Sequence, residues 1–363
     1  MRLLLDGRAL GPEMDGIGRY TSAVASRLAS ARPDWSLRLL VSPGASLHVA
    51  PSPNLETAEC SVPRFRPGES AGVARAARGF APEALLVFSM SGPVLPGIGC
   101  HYVVHDTMVL DLPGYFGPGR LRNALSRAWF RRLMQRSLRA CAGVAVPTHW
   151  VEERLLSRFP FLEGRTTVTF EGQDLFDPWS HTPSARGGFL LYVGNARAYK
   201  NTGRILEAYS MLLSRGTDQD LVMVVRRDRA FRELESAAAA LPGGRVRLLS
   251  AVPDRELKEL YSTCTAFVSP SVCEGFGLPV LEAMAAGCPV IASRGTALEE
   301  VAGDGAILVD PLDAAAIADA MGQLATDSRT REELSARALG RASLFGWDST
   351  ADRVLGMLER TAG

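Results

Sequence analysis

Lysine is nearly absent from this chain. Of its 40 basic residues only Lys200 and Lys258 are lysines; the other 38 are arginines. Genomic base composition is the simplest source of that bias, and it makes each surviving lysine more noteworthy. The formal net charge is +1, which gives no reason to expect a nucleic-acid partner. No run of about 18 apolar residues occurs, so no membrane span is expected. The six cysteines form no Cys-x-x-Cys pair, which points away from zinc and towards a reduced, cytoplasmic setting. The Gly-x-Gly-x-x-Gly fingerprint is missing, which argues against an NAD-dependent oxidoreductase. No Ser/His/Asp triad, His-Glu-x-x-His, Walker loop or Asp-x-Asp metal pair stands out. The start, Met1-Arg-Leu-Leu-Leu-Asp-Gly7, is too short and too soon acidic for a signal peptide and reads as a strand.

What is present is an α/β pattern. At 363 residues and 47% hydrophobic, the chain is long enough for about two ordinary domains. In the first half strands fit 2–6, 37–41, 84–88, 102–105, 143–146 and 166–170, and helices fit 18–31, 120–139 and 149–158. Residues 172–188, rich in Pro, Gly, Ser and Asp, read as an inter-domain linker. Beyond it strands fit 189–193, 221–225, 246–249, 265–268, 289–292 and 306–309. Helices fit 201–214, 230–240, 254–262, 279–286, 313–325 and 328–343. Such alternation predicts two doubly wound domains with parallel sheets, facing across a cleft, with ligands at the carboxyl ends of the strands.

Residues 274–290, Glu-Gly-Phe-Gly-Leu-Pro-Val-Leu-Glu-Ala-Met-Ala-Ala-Gly-Cys-Pro-Val, carry the densest pattern. Pro279 suits the first turn of a helix and Gly287 its end. Gly275, Phe276, Gly277 and Leu278 therefore lead into a helix N-terminus, whose unpaired N–H groups seat a phosphate. Glu274 stands at the mouth of that turn, and Glu282, about one helical turn inside, points back over it. The plainer alternative is an ordinary strand-to-helix turn with a solvated Glu282. Strand 189–193 runs into Gly194-Asn-Ala-Arg-Ala-Tyr-Lys-Asn201, where Asn201 or Thr202 is a candidate helix cap. Arg197 and Lys200 then sit at a strand's carboxyl end, as a diphosphate clamp or as solvated loop cations.

Three further stretches have both a functional and a plain reading. Asp15-Gly-Ile-Gly-Arg-Tyr20 is a shortened glycine turn, for a ligand or for close helix packing. His105, at the end of strand 102–105, is placed to hydrogen-bond into the cleft, while Asp106 caps a turn. Segment 120–139 holds seven arginines, Trp129 and several leucines. It reads as a surface helix of an arginine-biased protein, with a weak peripheral contact to a membrane surface or an anionic acceptor as the alternative.

Together these stretches resemble the family 4 retaining glycosyltransferases, which have the GT-B fold. Residues 269–293 look like that family's Glu-x7-Glu signature. Gly16-Ile-Gly-Arg-Tyr20, His105-Asp106, residues 192–201 and Phe345-x-Trp347 follow in the family's order. The resemblance implies two Rossmann-like domains. One, 1–171, binds acceptor and is completed by a helix at 348–363 that crosses back to it; the other, 189–347, binds nucleotide-sugar. It implies metal-independent, retaining transfer of a sugar from a nucleotide-diphosphate-sugar to an acceptor hydroxyl, with no cofactor beyond that co-substrate. Glu274 would bind donor-sugar hydroxyls, and the amides of Gly275 to Gly277 the sugar and phosphate, with Leu278 also in the donor site. Glu282 would bind the ribose, and Arg197 and Lys200 the leaving diphosphate. Gly16 would let its loop approach the donor phosphate, and His105 would bind the sugar near the reaction centre.

The chain departs from the family at Ala198-Tyr199, at Arg226-Arg227 and at Thr148-His149. Rival readings are a non-catalytic nucleotide-sugar-binding partner of another transferase, a GT-B sugar-nucleotide epimerase and an inverting transferase. The Glu-x7-Glu spacing argues against the last two. Donor base and sugar, acceptor, linkage and oligomeric state stay open.

Overall fold

The structure is a computed structural model that describes residues 1–361 apart from 12–14, 47, 118 and 177–186. Most of the expected linker, 172–188, therefore lies outside the described residues. The chain forms two compact units, Met1–Glu171 with Gly346–Gly363, and Gly172–Phe345.

The first unit holds seven strands: β1 (Arg2–Asp6), β2 (Ser36–Val41), β3 (Leu55–Glu59), β4 (Ala84–Val87), β5 (Gly99–Val103), β6 (Cys141–Val146) and β7 (Thr166–Val168). Their order across the sheet is β3-β2-β1-β4-β5-β6-β7, and every pairing is parallel. The helices are α1 (Gly16–Ala31), α2 (Glu69–Ala76), α3 (Met108–Asp111), α4 (Arg120–Arg139) and α5 (His149–Arg158). Apolar residues of the central strands, such as Leu85, Val87, Tyr102 and Val144, build one core.

The second unit holds β8 (Gly187–Gly194), β9 (Asp220–Val225), β10 (Val246–Leu249), β11 (Cys264–Ser269), β12 (Val290–Ser293) and β13 (Ala306–Val309). Their order is β10-β9-β8-β11-β12-β13, again all parallel. Its helices are α6 (Thr202–Ser214), α7 (Arg229–Ala239), α8 (Asp254–Thr263), α9 (Leu278–Ala285), α10 (Ala297–Ala302), α11 (Ala314–Thr326) and α12 (Ser328–Ala342). The last helix, α13 (Trp347–Thr361), belongs to the first unit and packs on α1 and β6. The edge of the Trp347 ring meets Tyr20, with centroids 5.8 Å apart. Asp348, in the first turn of that helix, accepts a bond from Arg27 at 2.5 Å.

Both sheets have the same inner order, in which the first strand lies between the second and the fourth. The order in which successive strands are added reverses at β1/β4 and at β8/β11. Loops leaving the carboxyl ends of such neighbours diverge, which opens a crevice suited to ligands.

Candidate functional site

The loops after β8 and β11 meet at the second unit's reversal point. Backbone and side chains stitch them together. Val272 N–H donates to the Tyr199 carbonyl at 2.8 Å. Asn201 does not cap α6 with its side chain, as its position suggests. Its φ is +61°, and its amide nitrogen donates to the carbonyls of Pro270 at 3.0 Å and Pro311 at 2.6 Å. One side chain thus ties the ends of three strands. Gly194 ends β8 facing the Tyr192 hydroxyl, which an added Cβ would approach to 2.6 Å. That hydroxyl donates to the Asn195 carbonyl at 2.6 Å.

The stitching delivers Lys200 to Glu274. Lys200 Nζ donates to Glu274 Oε1 at 2.6 Å, and both side chains are largely buried. Burial works against the ammonium charge, but the Glu274 carboxylate outweighs it and holds the Lys200 pKa above the ordinary lysine value. This is Lys200's only side-chain hydrogen bond among the described residues, so two ammonium protons remain available. Tyr199 lies beside the ammonium, its ring centroid 5.7 Å away. Arg197 is exposed and precedes the short turn Ala198–Lys200.

Four residues beyond Glu274, α9 begins with Leu278 and Pro279 in its first turn. Gly277, just before it, has φ +97°, and an added Cβ would fall 2.2 Å from Leu298. Only glycine fits there. Glu282 is buried inside α9, and its Oε2 accepts from the Tyr261 hydroxyl of α8 at 2.9 Å. A solvated Glu282 is therefore excluded. The two carboxylates do not confront the helix N-terminus bare, because Lys200 neutralises one and Tyr261 hydrogen-bonds the other. Neither partner is legible from the sequence, since 74 residues separate Lys200 from Glu274 and 21 separate Tyr261 from Glu282.

Gly16 and His105 belong to the first unit. Gly16 is the first residue of α1 rather than part of a free turn, and Asp15 caps that helix by accepting from Gly18 N–H at 2.9 Å. β5 ends at Val103, so His105 sits two residues past the strand rather than on it. Gly99 and Cys100, weak strand formers, start β5 earlier than the pattern suggests. His105 Nδ1 lies 3.5 Å from Glu171, which stands at the edge of the linker and carries no local sequence signal. The Tyr20 ring abuts the imidazole edge-on at 4.9 Å. His105 Nε2 is buried with no partner among the described residues. Asp106 does cap a turn, accepting from Met108 N–H at 2.9 Å. His101, by contrast, is a core histidine bonded to Thr361, and burial lowers its pKa.

All six cysteines are buried, and none is in a disulfide. Among the described residues no three His, Cys, Asp or Glu side chains cluster as a metal site, and no helix is long and apolar enough to cross a membrane.

Residues 176–341 match the family described as glycosyl transferases group 1. The chain is 36% identical over 181 residues to the O-antigen chain mannosyltransferase B of Escherichia coli, covering 46% of this chain and 45% of that one. It spans about half the length of the curated relatives it matches. Over 99% of its length it superposes on 98% of sucrose-phosphate synthase from Thermosynechococcus elongatus, with TM-score 0.79 and 21% identity. It superposes likewise on 99% of Anabaena Alr3699/HepE in complex with UDP and glucose, with TM-score 0.72 and 16% identity. The fold is GT-B, and over residues 176–341 the chain is similar to the group 1 glycosyl transferases.

Proposed function

We propose that this chain transfers a sugar from a nucleotide-diphosphate-sugar to an acceptor hydroxyl, with retention at the anomeric carbon and without a metal ion. One observation carries the reading. Lys200, one of two lysines, is buried against Glu274 at the reversal point of the second sheet and keeps two donors free. A cation held charged in a low-dielectric crevice beside a helix N-terminus suits a diphosphate. The names of the matched relatives, which include a mannosyltransferase and D-inositol 3-phosphate glycosyltransferases, support the class.

In this reading the bond between the anomeric carbon and the diphosphate oxygen breaks. The acceptor oxygen bonds that carbon on the same face, and its proton passes to the departing phosphate oxygen. Lys200, Arg197 and the amides leading into α9 stabilise the departing charge, which is where electrostatic preorganisation acts. Glu274, with Oε1 engaged by Lys200, offers Oε2 to a sugar hydroxyl, and Glu282 takes the ribose beside Tyr261. The first unit carries two candidates of its own, His105 with its unpartnered Nε2 for a hydroxyl and Gly16 at the start of α1 for a phosphate. A cytoplasmic setting, suggested by six cysteines with no disulfide among them, belongs to the same proposal.

Thermal-shift screening against UDP-, GDP- and dTDP-sugars, followed by donor hydrolysis without acceptor, tests it. A transferase is stabilised by one nucleotide class and slowly hydrolyses that donor. Stabilisation without hydrolysis or transfer to any acceptor marks a binding partner instead. Indifference to every nucleotide ends the reading.

A further inference from the structure

Helix α4 combines an all-basic charge set with an exposed apolar stripe. Its 20 residues include seven arginines and no acidic residue. Arg120 and Arg122 occupy its first turn, where the helix dipole disfavours cations. Leu121, Leu125 and Trp129 recur every four residues, a spacing that places them on one face of the helix. That face is open to solvent, with the three side chains 74%, 63% and 51% exposed. Helical geometry continues the same face with Arg132 and Arg136, both exposed. Neither these two nor Arg131 makes a hydrogen bond or ion pair among the described residues, so their charge is spent on nothing in the fold. Beside the apolar stripe lies a cavity of about 510 Å3, lined by Arg127, Arg131, Arg132, Gln135 and Arg158. A fold that leaves local rules broken at one surface places a function there.

We propose that α4 docks the protein on an anionic phospholipid bilayer. Leu121, Leu125 and Trp129 enter the headgroup boundary, Arg132 and Arg136 pair with lipid phosphates, and the arginine-lined cavity receives a headgroup. An interfacial helix of this type combines buried apolar area with attraction to anionic lipid. Trp129 is the side chain best suited to the boundary, with an apolar ring and one N–H for water. The arginines commit the surface to a negatively charged partner, and three aliphatic and aromatic side chains in a row suit lipid better than a soluble anion.

Co-sedimentation of the full chain with vesicles tests this. Vesicles of equal parts phosphatidylglycerol and phosphatidylcholine should pellet the protein, and vesicles of phosphatidylcholine alone should not. Added salt should release it. Changing Arg132→Gln together with Arg136→Gln should lower the bound-to-free ratio about 25-fold, at about fivefold per arginine. Leu121→Ser, Leu125→Ser and Trp129→Ser combined should abolish pelleting with the melting temperature unchanged, because these side chains are exposed. Equal binding to both vesicle types, a parent protein that stays in the supernatant, or variants that pellet like the parent overturn the proposal. So does a lipid-free dimer that the triple serine variant converts to monomer, since the face then serves self-association.

Discussion

Both units place a buried ion pair just past the first strand of a parallel sheet, yet the two pairs differ in kind. In the first unit Arg8 donates to both Asp6 oxygens at 2.8 and 2.7 Å, to Glu69 at 2.8 Å and to the Val62 carbonyl at 2.8 Å. Its side chain is wholly buried. Burial disfavours the guanidinium charge, and the Asp6 and Glu69 carboxylates more than offset it, so its pKa rises. In the second unit Lys200 meets one carboxylate and keeps two protons in hand. The planar guanidinium fork spends four of its five N–H donors and acts as a staple, whereas the compact ammonium spends one of three. One topology thus yields a structural joint in one unit and a candidate anion seat in the other. What separates them is the number of donors left unused.

The contrast can be broken in several ways. Arg8→Ala strands two buried carboxylates and should cost about 3–5 kcal/mol of stability by denaturant titration. A loss below about 1 kcal/mol would show that the first pair is no staple. Lys200→Ala should retain the far-ultraviolet circular dichroism of the parent while turnover falls about 100- to 1000-fold. Parent-like turnover would remove the diphosphate clamp. Tyr261→Phe takes a hydrogen bond from buried Glu282 and should lower stability by about 1–3 kcal/mol; an unchanged denaturation midpoint would separate the two residues energetically.

The smallest effect concerns pH. Lys200 has a raised pKa in the fold, so its ion pair contributes fully below the ordinary lysine value and is lost only as pH climbs through the folded one. Nucleotide affinity should stay within about twofold up to pH of about 10 and decline beyond the ordinary lysine pKa of about 10.4. A decline near neutrality would mean that Glu274 does not hold the ammonium charged.

Periodicity exposes the elements that bury a continuous apolar face. All six strands of the second unit, and most helices of both units, lie within a few residues of where the pattern puts them. Elements without that signal escape it. β3 reads Leu-Glu-Thr-Ala-Glu and sits at a sheet edge with a mostly polar, partly exposed surface. Helix α2 has eight residues and starts from a glycine rather than a side-chain cap, and α10 has only six. The candidate site residues can be singled out one by one because loops at strand ends are few. Their partners were not, because the Lys200–Glu274 contact depends on strand order. Glu171, Tyr261 and the Asn201 bridge to Pro270 and Pro311 are side-chain contacts between distant segments, on which local spacing is silent.

Scarcity of lysine gives the buried ammonium a use at the bench. Lys258 is exposed on α8, while Lys200 is largely covered and bonded to Glu274. An amine-selective reagent therefore meets two side chains of opposite accessibility in the whole sequence. Acylation of Lys258 supplies an internal reference rate, and slower modification of Lys200 reports how often its crevice opens. A ligand seated on that ammonium would slow the second rate and leave the first untouched, turning occupancy of the crevice into a ratio of two peptide masses.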